Sequence, residues 1–207
     1  VRELRTLVDE HGVDYVEFCD DIFNFPEEAA RELCEAMIRE RLRLSWSAFV
    51  NPGHLDAGLA DLMVRAGCDA VELGTDSGSP RMLRSLGKSF TVEDVREASR
   101  LFGDAGLSTA HYLLFGGPGE DDETVSESVA LMDELAPEAV IVMIGIRVYA
   151  GTELHAIAVS EGVVGADQCL LDPVFYPAEA QLRRIAERVA EEASRRKTWI
   201  VPGLDVN

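Results

Sequence analysis

Apolar and polar positions alternate along this chain in two periods, and the switches between them mark out its elements. Leu4, Leu7, Val8 and His11 fall at helical spacing, and Gly12 is a stop signal. Val13–Cys19 then reads as a strand. A second helix over Glu27–Arg41 places Ala30, Leu33, Cys34, Met37 and Ile38 on one face. The run LRLSWSAFV predicts a second strand, ending at Asn51-Pro52-Gly53. A third helix carries Leu55, Leu59, Leu62, Met63 and Ala66 before a C′ glycine, Gly67. Asp69–Thr75 predicts the third strand, and RMLRSLG a short helical turn. Thr91 and Asp94 form a capping signal for a fourth helix with Val95, Ala98, Phe102 and Ala105 inside and Gly106 as its stop. Tyr112–Phe115 makes a fourth strand, followed by a helix that turns Val125, Val129 and Met132 inward. AVIVMIGI is a fifth strand, apolar enough to be covered on both faces. From Gly162 to about Pro177 the pattern is irregular. Ala178–Lys197 closes as a helix with Leu182, Ile185, Ala186, Val189 and Ala193 on one side. Trp46 and Trp199 read as packing residues.

Strand and helix alternate five times, which implies an α/β fold with a parallel sheet and outer helices. Five strands are too few for an eight-stranded barrel, so the expectation is an open, curved partial (βα) barrel. In such folds ligands bind beyond the carboxyl ends of the strands, and the polar clusters collect there. Asp20 and Asp21 follow the first strand, and Asp76-Ser77-Gly78-Ser79 the third. Gly116-Gly117-Pro118-Gly119 follows the fourth, and Arg147 and Tyr149 follow the fifth. Paired glycines let a ligand approach the backbone. The acidic run Glu120–Glu123 suits a helix start and argues against a bound phosphate, so this turn is expected to read an uncharged or cationic group. Plainer readings stand beside these. Asp76–Ser79 is also a helix-capping turn, Asp20-Asp21 a solvated pair or an Mg²⁺ site, Arg147 a partner for Glu72 or Asp76, and Lys88 a solvated surface lysine. His11, His54, His111 and His155 lack ligand spacing and read as structural.

The 207 residues suffice for a real core. A net charge of −19 disfavours nucleic-acid phosphates and anionic lipid as partners. No apolar run approaches a membrane span. Cys19, Cys34, Cys68 and Cys169 have no paired spacing and read as reduced, mostly buried thiols of a cytoplasmic protein. The chain opens within a helix that has no cap, so it is expected to be cut from something longer.

The segments VEFCDDIF, VELGTDSGS, LGKSFTVEDV, YLLFGGPGE with its following ETV, and IRVYAGTEL occur in an order that resembles the radical S-adenosylmethionine enzymes. The likeness is greatest to the branch whose members usually carry an upstream cobalamin-binding domain, and it runs from Val1 to Leu154. It implies a six-stranded partial barrel over 1–162, here without its first strand, and a C-terminal extension over 163–207. It also implies S-adenosylmethionine chelated to a [4Fe–4S] cluster and cleaved to a 5′-deoxyadenosyl radical, with cobalamin commonly supplying a methyl group. By this resemblance Asp76 and Ser77 read the ribose, and Lys88 pairs with the methionyl carboxylate. Tyr112, Gly116, Gly117 and Gly119 lie against the nucleoside, with Arg147 and Tyr149 at the following strand end. Asp20 and Asp21 face the reaction chamber as catalytic candidates, assigned to substrate or cobalamin. The family's CxxxCxxC loop is absent, so the chain alone is expected to hold no cluster and to be inactive, its partners being a cluster strand, a cobalamin domain and a small-molecule, lipid or peptide substrate. Two other readings remain open: an Mg²⁺-dependent (βα) enzyme without a redox centre, and a non-catalytic binding module on the same fold.

Overall fold

The computed structural model describes residues 1–19 and 22–203. A six-stranded sheet in the order β1-β2-β3-β4-β5-β8 organises the chain, with helices flanking it, in agreement with the expected α/β partial barrel. The contacts divide the chain into two compact units. One comprises Val1–Thr75 with Phe90–His111, the other Asp76–Ser89 with Tyr112 onward.

In the first unit, α1 (Arg2–His11) ends at Gly12 in the left-handed region, φ +66°. β1 (Tyr15–Phe18) leads to α2 (Glu27–Arg39), whose buried face is Ala30, Cys34 and Met37. β2 (Ser45–Val50) pairs in parallel with β1, Tyr15 opposite Ser45 and Phe18 opposite Ala48. α3 (Ala57–Arg65) is capped by Asp56, which accepts from the Leu59 N–H at 2.7 Å. Gly67 then turns the chain into β3 (Cys68–Asp76). A side chain there is excluded twice over, by φ +101° and by the Leu44 carbonyl 2.3 Å from where a Cβ would lie. α5 (Val92–Ala105) has the full capping box expected of Thr91 and Asp94. The core of this unit centres on Trp46, which is fully buried and bonded through Nε1 to the Ala66 carbonyl at 3.0 Å. Phe18 and Phe23 pack on its ring at centroid distances of 5.2 and 4.8 Å.

In the second unit, α4 (Pro80–Ser85) follows the end of β3. β4 (Ser108–Phe115), which starts in the first unit, runs into a glycine turn and α6 (Asp122–Leu135), whose N-cap is Asp121. β5 is Ala139–Ile144, shorter than AVIVMIGI predicts. Gly145, at φ +86°, ends it by donating its N–H to the Phe115 carbonyl at 2.7 Å. The next residues form a separate strand, β6 (Ile146–Arg147). Nor is β5 covered on both faces, since the Met143 side of the strand is half exposed. After α7 (Glu153–Ser160), β7 (Phe175–Tyr176) pairs antiparallel with β6 inside the stretch expected to be irregular. α8 (Glu179–Ala193) stops four residues before Lys197, and β8 (Trp199–Ile200) then pairs in parallel with β5, Val140 opposite Trp199. The sixth strand therefore comes from the far end of the chain.

Both units have one tightly covered sheet face and one partly open face. Val71, Leu73 and Thr75 of β3 are buried, whereas Glu72, Gly74 and Asp76 on the alternate face are not; in β4, Leu113 and Phe115 are buried and Tyr112 and Leu114 partly open.

Candidate functional site

The half-open face of β3 ends in Asp76, a non-glycine residue held at φ +56°. Such a conformation costs about 1–3 kcal/mol and persists only where the surroundings enforce it. Here they do so through the next two residues. Ser77 is buried, and its hydroxyl lies 3.0 Å from that of Ser128 on α6 while accepting the Ser79 N–H at 3.1 Å. Ser128 Oγ accepts the Gly78 N–H at 2.9 Å and donates to the Thr124 carbonyl at 3.1 Å. Gly78 sits so close to α6 that a Cβ would come within 2.7 Å of Ser128 Cα. The turn is thus anchored from behind, and the Asp76 side chain is presented forward. It meets Lys88, whose ammonium pairs with its carboxylate. Lys88 is fixed in turn by its N–H, which donates to the Leu83 carbonyl at 2.9 Å. The helix-capping reading of this turn fits less well: Ser79 is the N-cap of α4 but makes no side-chain cap bond, and its buried hydroxyl has no partner.

The glycine turn after β4 answers to packing more than to an open ligand surface. A Cβ on Gly117 would lie 2.8 Å from Met82 Cε on α4 and 3.0 Å from Leu86 just after it, and one on Gly116 would lie 3.1 Å from Pro177. The Gly116 N–H is taken by Glu120 Oε2 at 3.1 Å, and the Thr124 hydroxyl donates to Oε1 of the same carboxylate at 2.5 Å. Glu120 is buried, and desolvation raises its pKa despite these donors. Of the backbone atoms expected to read a ligand at this turn, the Gly116 N–H is held by a carboxylate of the same loop. Gly119, at φ +87°, meets nothing and serves the turn itself.

Arg147, at the end of β6, stacks its guanidinium over the Tyr149 ring at 4.9 Å, with Tyr149 about half exposed. The ion-pair partner of Asp76 is Lys88 and not Arg147. Within this unit, Asp76 with Lys88, the glycine turn against α4, and Arg147 with Tyr149 all follow the carboxyl ends of strands. Tyr112 lies earlier, on the half-open face of β4. Asp20 and Asp21 lie outside the described residues. One feature of the first unit gave no sequence signal. Asn24 is fully buried and clamps two loops, its amide donating to the carbonyls of Asn51 and His54 at 2.8 and 2.6 Å while accepting the Asn51 N–H at 2.8 Å.

The cysteines do not fit an iron–sulfur cluster. Cys34 and Cys68 are buried, and burial pushes the Cys34 thiol up to about 12 and raises Cys68 as well. Cys19 and Cys169 are exposed, contrary to the expectation of mostly buried thiols. Among the described residues no three His, Cys, Asp or Glu side chains come together as a metal site.

The model of the Radical SAM superfamily matches residues 1–132. This chain belongs to that superfamily. Among the chain's relatives, an uncharacterized methyltransferase of Pyrococcus horikoshii is 27% identical, over 79% of this chain and 36% of its own length. The tryptophan 2-C-methyltransferase of Streptomyces laurentii is 29% identical, over 70% of this chain and 28% of its own. The structure of the radical S-adenosylmethionine methyltransferase TsrM of Kitasatospora setae, with cobalamin and a [4Fe–4S] cluster bound, superposes with a TM-score of 0.71 at 28% identity, over 79% of this chain and 33% of that one. The chain therefore spans about a third of the length of these proteins. Among its described residues no helix is long and apolar enough to cross a membrane.

Proposed function

We propose that this chain is the nucleoside-binding part of the barrel of a cobalamin-dependent radical S-adenosylmethionine methyltransferase that acts on carbon. The observation that carries the reading is Asp76, held in a strained conformation at a strand end with its carboxylate facing forward and paired to Lys88. A carboxylate so placed accepts from two neighbouring hydroxyls, as a ribose offers. Tyr112 on the half-open face of β4 would lie along the nucleoside, and the stacked Arg147 and Tyr149 would close the next strand end. Ser77 and Gly116, Gly117 and Gly119 would shape the loops and not touch the ligand through side chains. Asp20 and Asp21 are kept as candidates for substrate or cobalamin. Support for methyl transfer comes from the relatives, two of which are methyltransferases by name. Residues 1–162 would form the barrel portion and 163–207 an extension that returns to it.

When bound to a reduced cluster, S-adenosylmethionine supplies a carbon radical; the cluster's thiolates would have to come from a longer polypeptide, since the cysteines here do not suit it. The chain's own contribution is to hold the nucleoside, orient its sulfonium end and exclude water. The test is Asp76→Ala in the full-length protein. Affinity for S-adenosylmethionine should fall about tenfold or more, the loss of a charge-assisted pair of hydrogen bonds, with the melting temperature kept. Unchanged affinity would remove Asp76 from the site.

A further inference from the structure

We propose that the cleft between α4, the glycine turn and α7 is a binding site for a small apolar α-amino acid, held as its zwitterion. The site stands apart from the nucleoside reading and shares no residue with it. The cleft measures about 510 Å³, within the range of small-molecule sites. Leu86, Pro118, Ile146, Leu154 and Ile157 line it, each half-buried, so its floor is apolar. Its neutral polar side chains are already committed. The Ser85 hydroxyl donates to the Pro118 carbonyl at 2.6 Å, and the Thr152 hydroxyl donates to the Tyr149 carbonyl at 2.7 Å while accepting the His155 N–H at 3.1 Å. Two charges remain. Arg84 reaches the cleft from the last turn of α4, and Glu153 from the first turn of α7. Both are exposed, and among the described residues neither forms an ion pair with the other or with any other side chain. Every other arginine of this unit holds a carboxylate, apart from Arg147 on its Tyr149 ring. Arg84 thus stays unpaired in a chain with 38 acidic side chains against 19 lysines and arginines. A guanidinium takes a carboxylate through two parallel hydrogen bonds, and a carboxylate accepts readily from an ammonium. A ligand with an anion alone would be opposed by Glu153, and one with a cation alone by Arg84. A molecule that carries both charges on one carbon, with an aliphatic side chain for the floor, matches all three features.

L-Leucine is the probe, with three analogues that each lack one feature: isocaproate has no ammonium, isoamylamine no carboxylate and glycine no side chain. Dissociation constants would be measured by ligand-observed NMR on the full-length protein and on Arg84→Met, Glu153→Gln and Asp76→Ala, with melting curves for each. Leucine is expected to bind saturably and more tightly than any analogue. Arg84→Met should weaken leucine about fivefold, the upper end for one exposed ion pair, and leave isoamylamine no weaker. Glu153→Gln should weaken leucine by a similar factor and spare isocaproate. Asp76→Ala should leave leucine unchanged, which keeps this result separate from the nucleoside reading. The proposal is overturned if leucine does not saturate, if either cleft variant leaves its affinity unchanged, or if any analogue binds as tightly. A loss of leucine binding in Asp76→Ala would place it in the nucleoside site and overturn the proposal as well.

Discussion

At the entry to α6, Glu120 is buried among its own loop's donors, and desolvation still pushes its pKa above the usual carboxylate value of 4.5. The folded protein thus holds this proton more tightly than the unfolded chain does. Stability from Glu120 is complete below the ordinary value and is lost as pH rises through the raised one. A Glu120→Gln variant lacks this titration, so the stability advantage of the unmodified protein over it should shrink as pH rises above the ordinary carboxylate range. Thermal melts across that range check it, and an advantage that grows with pH would contradict the assignment. Gly78→Ala should be worse than an ordinary glycine change. Its methyl would meet the backbone of α6, at 2.7 Å from Ser128 Cα and 2.8 Å from the Glu127 carbonyl. Overpacking of this kind costs about 1–3 kcal/mol, measurable by urea unfolding. Single residues were readable where the partner is local. Thr91 and Asp94 announce their capping box three positions apart. Ser128 announces nothing, because its partners Ser77 and Gly78 arrive from a different strand end.

The helices that pack on the sheet were legible because their apolar faces repeat over three or more turns, as in α2, α5 and α6. The short strands were not. β6, β7 and β8 have two residues each, too few for any period to register, and Gly145 looked like one more small residue in an apolar run. Trp199 shows what that brevity conceals. It is 1% exposed, fills the edge beside Val140, and stacks under Arg196 at 5.7 Å. Arg196 also binds both oxygens of Asp133 on α6 at 2.7 Å each, joining the end of α8 to that helix. Trp199→Ala is expected to cost about 3–5 kcal/mol, the range for emptying a large aromatic from a core. A loss under 1 kcal/mol in denaturant titration would mean that β8 adds little to the sheet. Asp56→Ala at the start of α3 should cost about 1 kcal/mol, since it removes the acceptor for the Leu59 N–H.

Over the whole molecule, the ordered motifs carried the superfamily and the fold, because five strand ends in series leave few topologies open. The site was less legible. Spacing located the loops, but what each side chain is spent on (Ser77 on Ser128, Glu120 on the Gly116 N–H, Lys88 on Asp76) depends on three-dimensional approach. The distribution of cysteines gives a prediction at this scale. Mixed anaerobically with iron and sulfide, the 207-residue chain should gain no broad visible absorption, while a longer polypeptide that supplies a CxxxCxxC loop should turn brown. A stoichiometric cluster on the 207 residues alone would refute the reading of these four thiols.

The parallel pairing of β8 with β5 sets an order of events during synthesis. β5 leaves the ribosome before α7 and α8 and waits as an unsatisfied border of the sheet until Trp199 and Ile200 emerge. At about 5–20 residues per second that wait lasts seconds, long enough for a nascent chain to meet a chaperone or a neighbouring copy. Pausing translation within α8 should therefore yield a species prone to self-association, one that becomes monodisperse once the last strand is released.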